Sequence, residues 1–153
     1  MSIAPEISGL LSTREYKRAH RFLSDVEWRI DNLYYIRNDQ GERVKFKRNE
    51  AQLAFHKDMG LRNVLPKARK LGFSTFIAIL ICDTCMFRTN HVAGIVDITL
   101  DDAVVKLGVV KYAYENLPPE LKAENPLVRQ SDQYLEWANG SNVSVGTSYR
   151  GDT

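Results

Sequence analysis

Asn63-Val-Leu-Pro66, then Lys67-Ala-Arg-Lys-Leu-Gly72, then Phe73-Ser-Thr75 carry the chain from a short apolar stretch through a basic loop into a long apolar segment. Read as strand, loop and helix, this is the setting a phosphate-binding loop requires. Exposed amides at the start of a helix point at an anion, and the helix dipole favours negative charge there. The usual loop is G-x-x-x-x-G-K-[ST]. With its second glycine set on Gly72, Lys67 takes the first glycine's place and Phe73 the lysine's. Ser74 fills the hydroxyl position, with Thr75 beside it as a second candidate ligand for magnesium. A bound triphosphate needs a cation that Phe73 cannot supply. Lys67, Arg69 and Lys70 stand in the same loop, and an arginine there would add two-pronged contact with phosphate oxygens.

Downstream, the helix is expected from about Ser74 to Phe87. Its apolar residues lie all round, which predicts burial. Val92 to Ile98 is a continuous apolar run with β-branched residues, expected to form a strand buried on both faces. Thr99 or Asp101 opens a helix that runs to about Asn116 and stops at Pro118-Pro119. Residues 117–126 read as loop. Tyr134 to Ala138 and Asn142 to Val145 alternate around Asn139-Gly140, a hairpin turn.

Upstream, Asn49 caps a short helix carrying Ala51 to Phe55. Leu33 to Ile36 and Val44 to Phe46 flank Asn38-Asp-Gln-Gly41, which predicts a β-hairpin. Ser12 and Glu15 have capping-box spacing, and Tyr16, Ala19, Phe22, Leu23, Val26 and Ile30 then recur at helical spacing. The basic residues of this stretch, Arg14, Lys17, Arg18, His20 and Arg21, read first as a solvated helix face and second as a DNA contact. Residues 1–48 are expected to form a helix and hairpin extension, and residues 49–153 an α/β core of the P-loop kind.

A chain of 153 residues with 44% hydrophobic and 26% charged side chains is an ordinary globular composition, not that of a disordered tail. A net charge of +2 gives no bulk reason to expect nucleic-acid binding. The first residues lack the basic start and long apolar core of a signal peptide. The apolar run from Phe76 to Cys82 is too short to span a bilayer. Cys82 and Cys85 have the spacing of a metal pair, but a zinc site needs four donors and no second pair exists; they read as packed thiols. His91 reads as structural or solvent-facing, and Trp28 and Trp137 as packing residues rather than a base-stacking platform.

Lys67-Ala-Arg-Lys-Leu-Gly-Phe-Ser-Thr75 resembles the deviant Walker A loop of tailed-phage terminase large subunits, the ATPases of viral DNA-packaging motors. In that family the phosphate-contacting cation is often displaced to the start of the loop. Leu33-Tyr-Tyr-Ile36, Gly41 to Phe46 and Asn49-Glu-Ala-Gln52 resemble the family's upstream phrase. His91-Val-Ala-Gly-Ile-Val96, Asp102-Ala103, Tyr112 to Pro118 and Ser144 to Gly151 resemble the family's segments downstream of the loop. The resemblance covers roughly residues 30 to 153.

It implies an α/β fold of the P-loop NTPase type, with a mainly parallel sheet flanked by helices. It implies ATP and magnesium as cofactors. Gln52 would recognise the adenine edge. Arg69 would be the displaced cation, with Lys67 and then Lys70 behind it. Gly72, with Phe73 beside it in the loop, would admit the phosphates, and Ser74 and Thr75 would serve phosphate and magnesium. Arg150 would reach the γ-phosphate of a neighbouring subunit in a ring. Implied partners are double-stranded DNA, a portal protein, a small terminase subunit and other copies of the chain, without a membrane, in the cytoplasm of an infected or lysogenic bacterium. The acidic Walker B strand and the nuclease domain are expected to be missing, so this chain alone is expected to hydrolyse ATP weakly or not at all. Two other readings stand beside this one: another P-loop nucleic-acid ATPase or helicase, and a non-catalytic oligomerisation module whose loop no longer binds nucleotide.

Overall fold

The computed structural model describes residues 13–66 and 71–148. The expected capping box at Ser12 therefore lies outside the described residues. The extension opens with two helices rather than one continuous run, α1 (Thr13–Ser24) and α2 (Val26–Asn32). The break falls at Asp25, whose extended backbone and side chain, accepting from the Glu27 and Trp28 amides, start a new helix. Strands β1 (Tyr35–Arg37) and β2 (Arg43–Lys45) pair antiparallel as the turn residues predict. Gly41 supplies the positive φ of +80 that this turn needs.

Asn49 caps α3 (Glu50–Asp58) in a full capping box with Gln52. The long helix follows as α4 (Phe73–Phe87). Next come β3 (Val92–Asp97), α5 (Leu100–Glu115), α6 (Pro119–Glu124), β4 (Leu127–Gln130), β5 (Tyr134–Trp137) and β6 (Asn142–Thr147). Thr99 caps α5, its hydroxyl accepting from the Asp102 amide. Helix α6 occupies a stretch expected to be loop. Pro119 sits in its first turn, where a missing N–H costs nothing, so the two prolines end one helix and begin the next.

The sheet corrects the expectation of a mainly parallel, P-loop-like arrangement. Its order is β3-β6-β5-β4, and only β3 and β6 run parallel; β6 with β5 and β5 with β4 are antiparallel. The reason is local. The turn at Asn139-Gly140, with Gly140 at φ +81, and the turn at residues 131–133 are far too short for a crossover, so they join antiparallel neighbours. Only the passage through α5 and α6 is long enough to return a strand in the same direction. Residues 63–66, expected to lead into the loop as a strand, form none, and Leu61 and Val64 are almost fully exposed.

Helices α4 and α5 pack on each other, and α5 lies against β3 and β6. Side chains of Val143, Leu135 and Trp137 face this helical layer and are buried with Phe76, Ile79, Cys82 and Met86 of α4 and Leu107, Val110 and Ala113 of α5. The same core takes Ile30, Leu33, Tyr34 and Phe46 from the extension. The other face of the sheet is open at β3. Val92 is 71% and Val96 65% exposed, so among the described residues this strand is an edge with one covered face, not the doubly buried strand its apolar run predicts.

Candidate functional site

The first turn of α4 is built around Gly72. This residue is the helix N-cap in a left-handed conformation, φ 70, and no side chain caps the helix there. The amides of that turn are therefore not answered by a capping side chain. Two demands meet at the glycine. Its positive φ disfavours any side chain, and an added Cβ would stand 2.9 Å from Gln52 Nε2.

Gln52 is 3% exposed and braces this turn from α3. Its Oε1 accepts from the Asn49 amide at 3.0 Å, closing the capping box. Its Nε2 donates to the Gly72 carbonyl at 3.0 Å and more weakly to that of Leu71 at 3.5 Å. Asn49 Nδ2 also donates to the Leu71 carbonyl, at 3.3 Å. The cap of one helix thus sets the entry to the next. Both ends of the Gln52 amide are engaged by backbone.

Phe73 turns into the core, edge-on to Phe55 with ring centroids 5.7 Å apart. Ser74 is exposed and Thr75 half-buried. Thr75 lines a cavity of about 530 Å³ between β1, α4 and α5, whose walls include Ile36, Arg37, Val109, Lys111 and Tyr112. Arg37 lies over the Tyr112 ring at 4.7 Å, a cation–π contact that holds its guanidinium at the cavity rim. This cavity brings two cations and an aromatic ring beside the turn. Arg37 and Lys111 lie far from the loop in sequence, and no motif in the chain marked them.

Gly72, Phe73, Ser74, Thr75 and Gln52 are thus brought together. Lys67, Arg69, Lys70 and Arg150 lie outside the described residues. Among the described residues no group of three or more His, Cys, Asp or Glu side chains could hold a metal ion. A magnesium ion here would depend on Ser74 or Thr75 together with phosphate oxygens and water, a coordination that ion accepts readily. Asp97, at the end of β3, is ion-paired to Lys106, whose hydrogen bond holds its carboxyl below the usual carboxylate range.

Sequence reasoning also missed a buried ion pair and a second ion-pair group in which a buried Arg48 meets partly exposed carboxylates. Asp83, inside α4, accepts from Arg29 Nε at 2.9 Å, Arg29 Nη2 at 2.7 Å and the Tyr34 hydroxyl at 2.8 Å. Burial works against the charge on Arg29, but the Asp83 carboxylate more than offsets it and raises its pKa. Burial first, and then the neighbouring Asp83, drive the Tyr34 hydroxyl well above its ordinary value. Arg48 grips Asp31 with two hydrogen bonds, at 2.9 and 2.8 Å, and also pairs with Glu27. His56 Nδ1 lies 2.6 Å from Arg48 Nη1 and 3.1 Å from Glu27 Oε1, beside the same group. The one charged residue in a mostly apolar helix was the available signal for Asp83. Its partners, about fifty positions away, left no local trace.

The chain matches no family model, and comparison with curated proteins gives no match either.

Proposed function

We propose that this chain is the ATP-binding region of a viral DNA-packaging motor of the terminase type, with the triphosphate held at the start of α4. One observation carries the reading: a long helix opens on a left-handed glycine with no side-chain cap, with Ser74 exposed and Thr75 lining the adjoining cavity. Such a turn presents backbone donors and a favourable dipole to an anion. Arg69, with Lys67 and Lys70, would supply the cation that Phe73 cannot. Gln52 and Asn49 hold the turn in place before the ligand arrives. In the intact motor the residues would act by positioning and by charge on the transferring phosphoryl group. The DNA, portal, small-subunit and ring partners rest on the sequence resemblance alone.

A second reading is supported by Phe73. Its ring is buried against Phe55, so the place of the usual lysine is spent on packing, as a non-catalytic oligomerisation module would allow. Calorimetry of ATP with magnesium, on this chain and on Arg69→Ala, separates the two. The expected result is binding that weakens at least tenfold in the variant, about 1.4 kcal/mol or more. Equal binding by both proteins would remove Arg69 from the site. Absence of binding, by this chain and by one extended through an acidic strand, would favour the second reading.

A further inference from the structure

We infer that β3 is a self-recognition edge, through which two copies of this chain pair antiparallel about a two-fold axis at Gly94.

Among the described residues, the sheet order gives β3 one neighbour, β6. Asn142 N–H donates to the His91 carbonyl and Ser148 N–H to that of Asp97, so the odd-numbered residues of β3 turn their backbone groups toward β6. Residues 92, 94 and 96 therefore present N–H and C=O away from the sheet, where none of the described strands answers them. The residues along this edge, Val92-Ala-Gly-Ile-Val96, carry no charge. Edge strands are commonly protected by lysine, proline or a bulge, and β3 has none of these between Val92 and Val96.

The strand is close to self-complementary when reversed on itself. With Gly94 opposite Gly94 of a second copy, Val92 faces Val96, Ala93 faces Ile95 and His91 faces Asp97. The outward-facing residues 92, 94 and 96 then all fall on hydrogen-bonded positions, the phase an antiparallel ladder requires. Small stands opposite large at Ala93 and Ile95, and an imidazole stands opposite a carboxylate at each end. On the open face, Val92 and Val96 of both copies would form one apolar cluster around a glycine centre. On the helical side, the edge borders a groove of about 230 Å³ lined by Leu65, Ile77, Ile81 and Ile95, which the second strand's Ile95 would help to cover. This pairing is isologous and closes at two copies, without an open-ended fibre.

Sedimentation equilibrium of the full chain tests it, alongside Val96→Pro. That proline removes an outward N–H and leaves the ladder to β6 intact. The expected result is a dimer whose dissociation constant rises at least tenfold in the variant. A monomer at all concentrations, a dimer indifferent to Val96→Pro, or open-ended assemblies would each overturn the proposal. Should Val96→Pro fail to fold, cysteine cross-linking decides the question. A short bis-maleimide should join Gly94→Cys chains, where a Cβ meets nothing within 4 Å, and should not join Ser144→Cys chains one strand further in. Cross-linking at both positions or at neither would overturn it.

Discussion

Asp83 shows what a single side chain decides in this molecule. Its carboxylate sits in the middle of α4, 2% exposed, and is made tolerable by a guanidinium from α2 and a phenol just after it. Asp83→Ala would leave Arg29 charged and buried, and is expected to destabilise the fold by about 3–5 kcal/mol, read from urea denaturation. A loss below about 1 kcal/mol, within the range of exposed pairs, would show that water reaches the pair. Asp31 makes a different claim, about pH. The hydrogen bonds from Arg48 lower its pKa below the ordinary value of 3.8. A carboxyl depressed on folding adds stability that is fully present above its unfolded pKa and is lost as pH falls through the folded one. Stability should therefore decline from about pH 4 downward, and Asp31→Asn should flatten that decline while lowering stability at neutral pH. An unchanged acid limb in the variant would assign the effect to other carboxylates.

The elements differ in how far they could be read from their residues, and the differences have physical causes. Helices α3 and α5 were legible because Asn49 and Thr99 act locally, within one turn of the amides they satisfy. The β1–β2 and β5–β6 hairpins were legible for the same reason, through Gly41 and Gly140 at positive φ, whereas β4 and its turn to β5 went unread. The strand expected at residues 63–66 did not form, because strand formation depends on a neighbour and none of the described strands lies beside it. The exposure of β3 was hidden likewise, since an apolar run says that a strand can be covered, not that anything covers it. At the candidate site, Gly72, Ser74 and Thr75 stood out by spacing. The brace from Gln52 and the cavity wall from Arg37, Lys111 and Tyr112 arise from packing between elements far apart in sequence.

For the molecule as a whole, the core is continuous from the extension through α4 to the sheet, and both thiols lie inside it. Burial pushes Cys85 up to about 12 and Cys82 well above its ordinary value, so neither offers a thiolate near neutrality. Native protein at pH 8 should therefore resist a thiol reagent, and both cysteines should react together at the rate of global unfolding. Rapid labelling of either one in the native state would show that the helical layer opens by itself. No described helix is long and apolar enough to cross a membrane.

The two tryptophans divide this continuous core into two optical territories. Trp28 is half-buried and tilted against Phe22, with ring centroids 5.0 Å apart, so its emission belongs to the α1–α2 pair and its solvent. Trp137 is 1% exposed, set edge-on to Tyr114, and its indole N–H has no hydrogen-bond partner among the described residues, so it senses the sheet and the helices above it. The chain thus carries, without any label, one chromophore reporting on its helical extension and another on the layer beneath the candidate site.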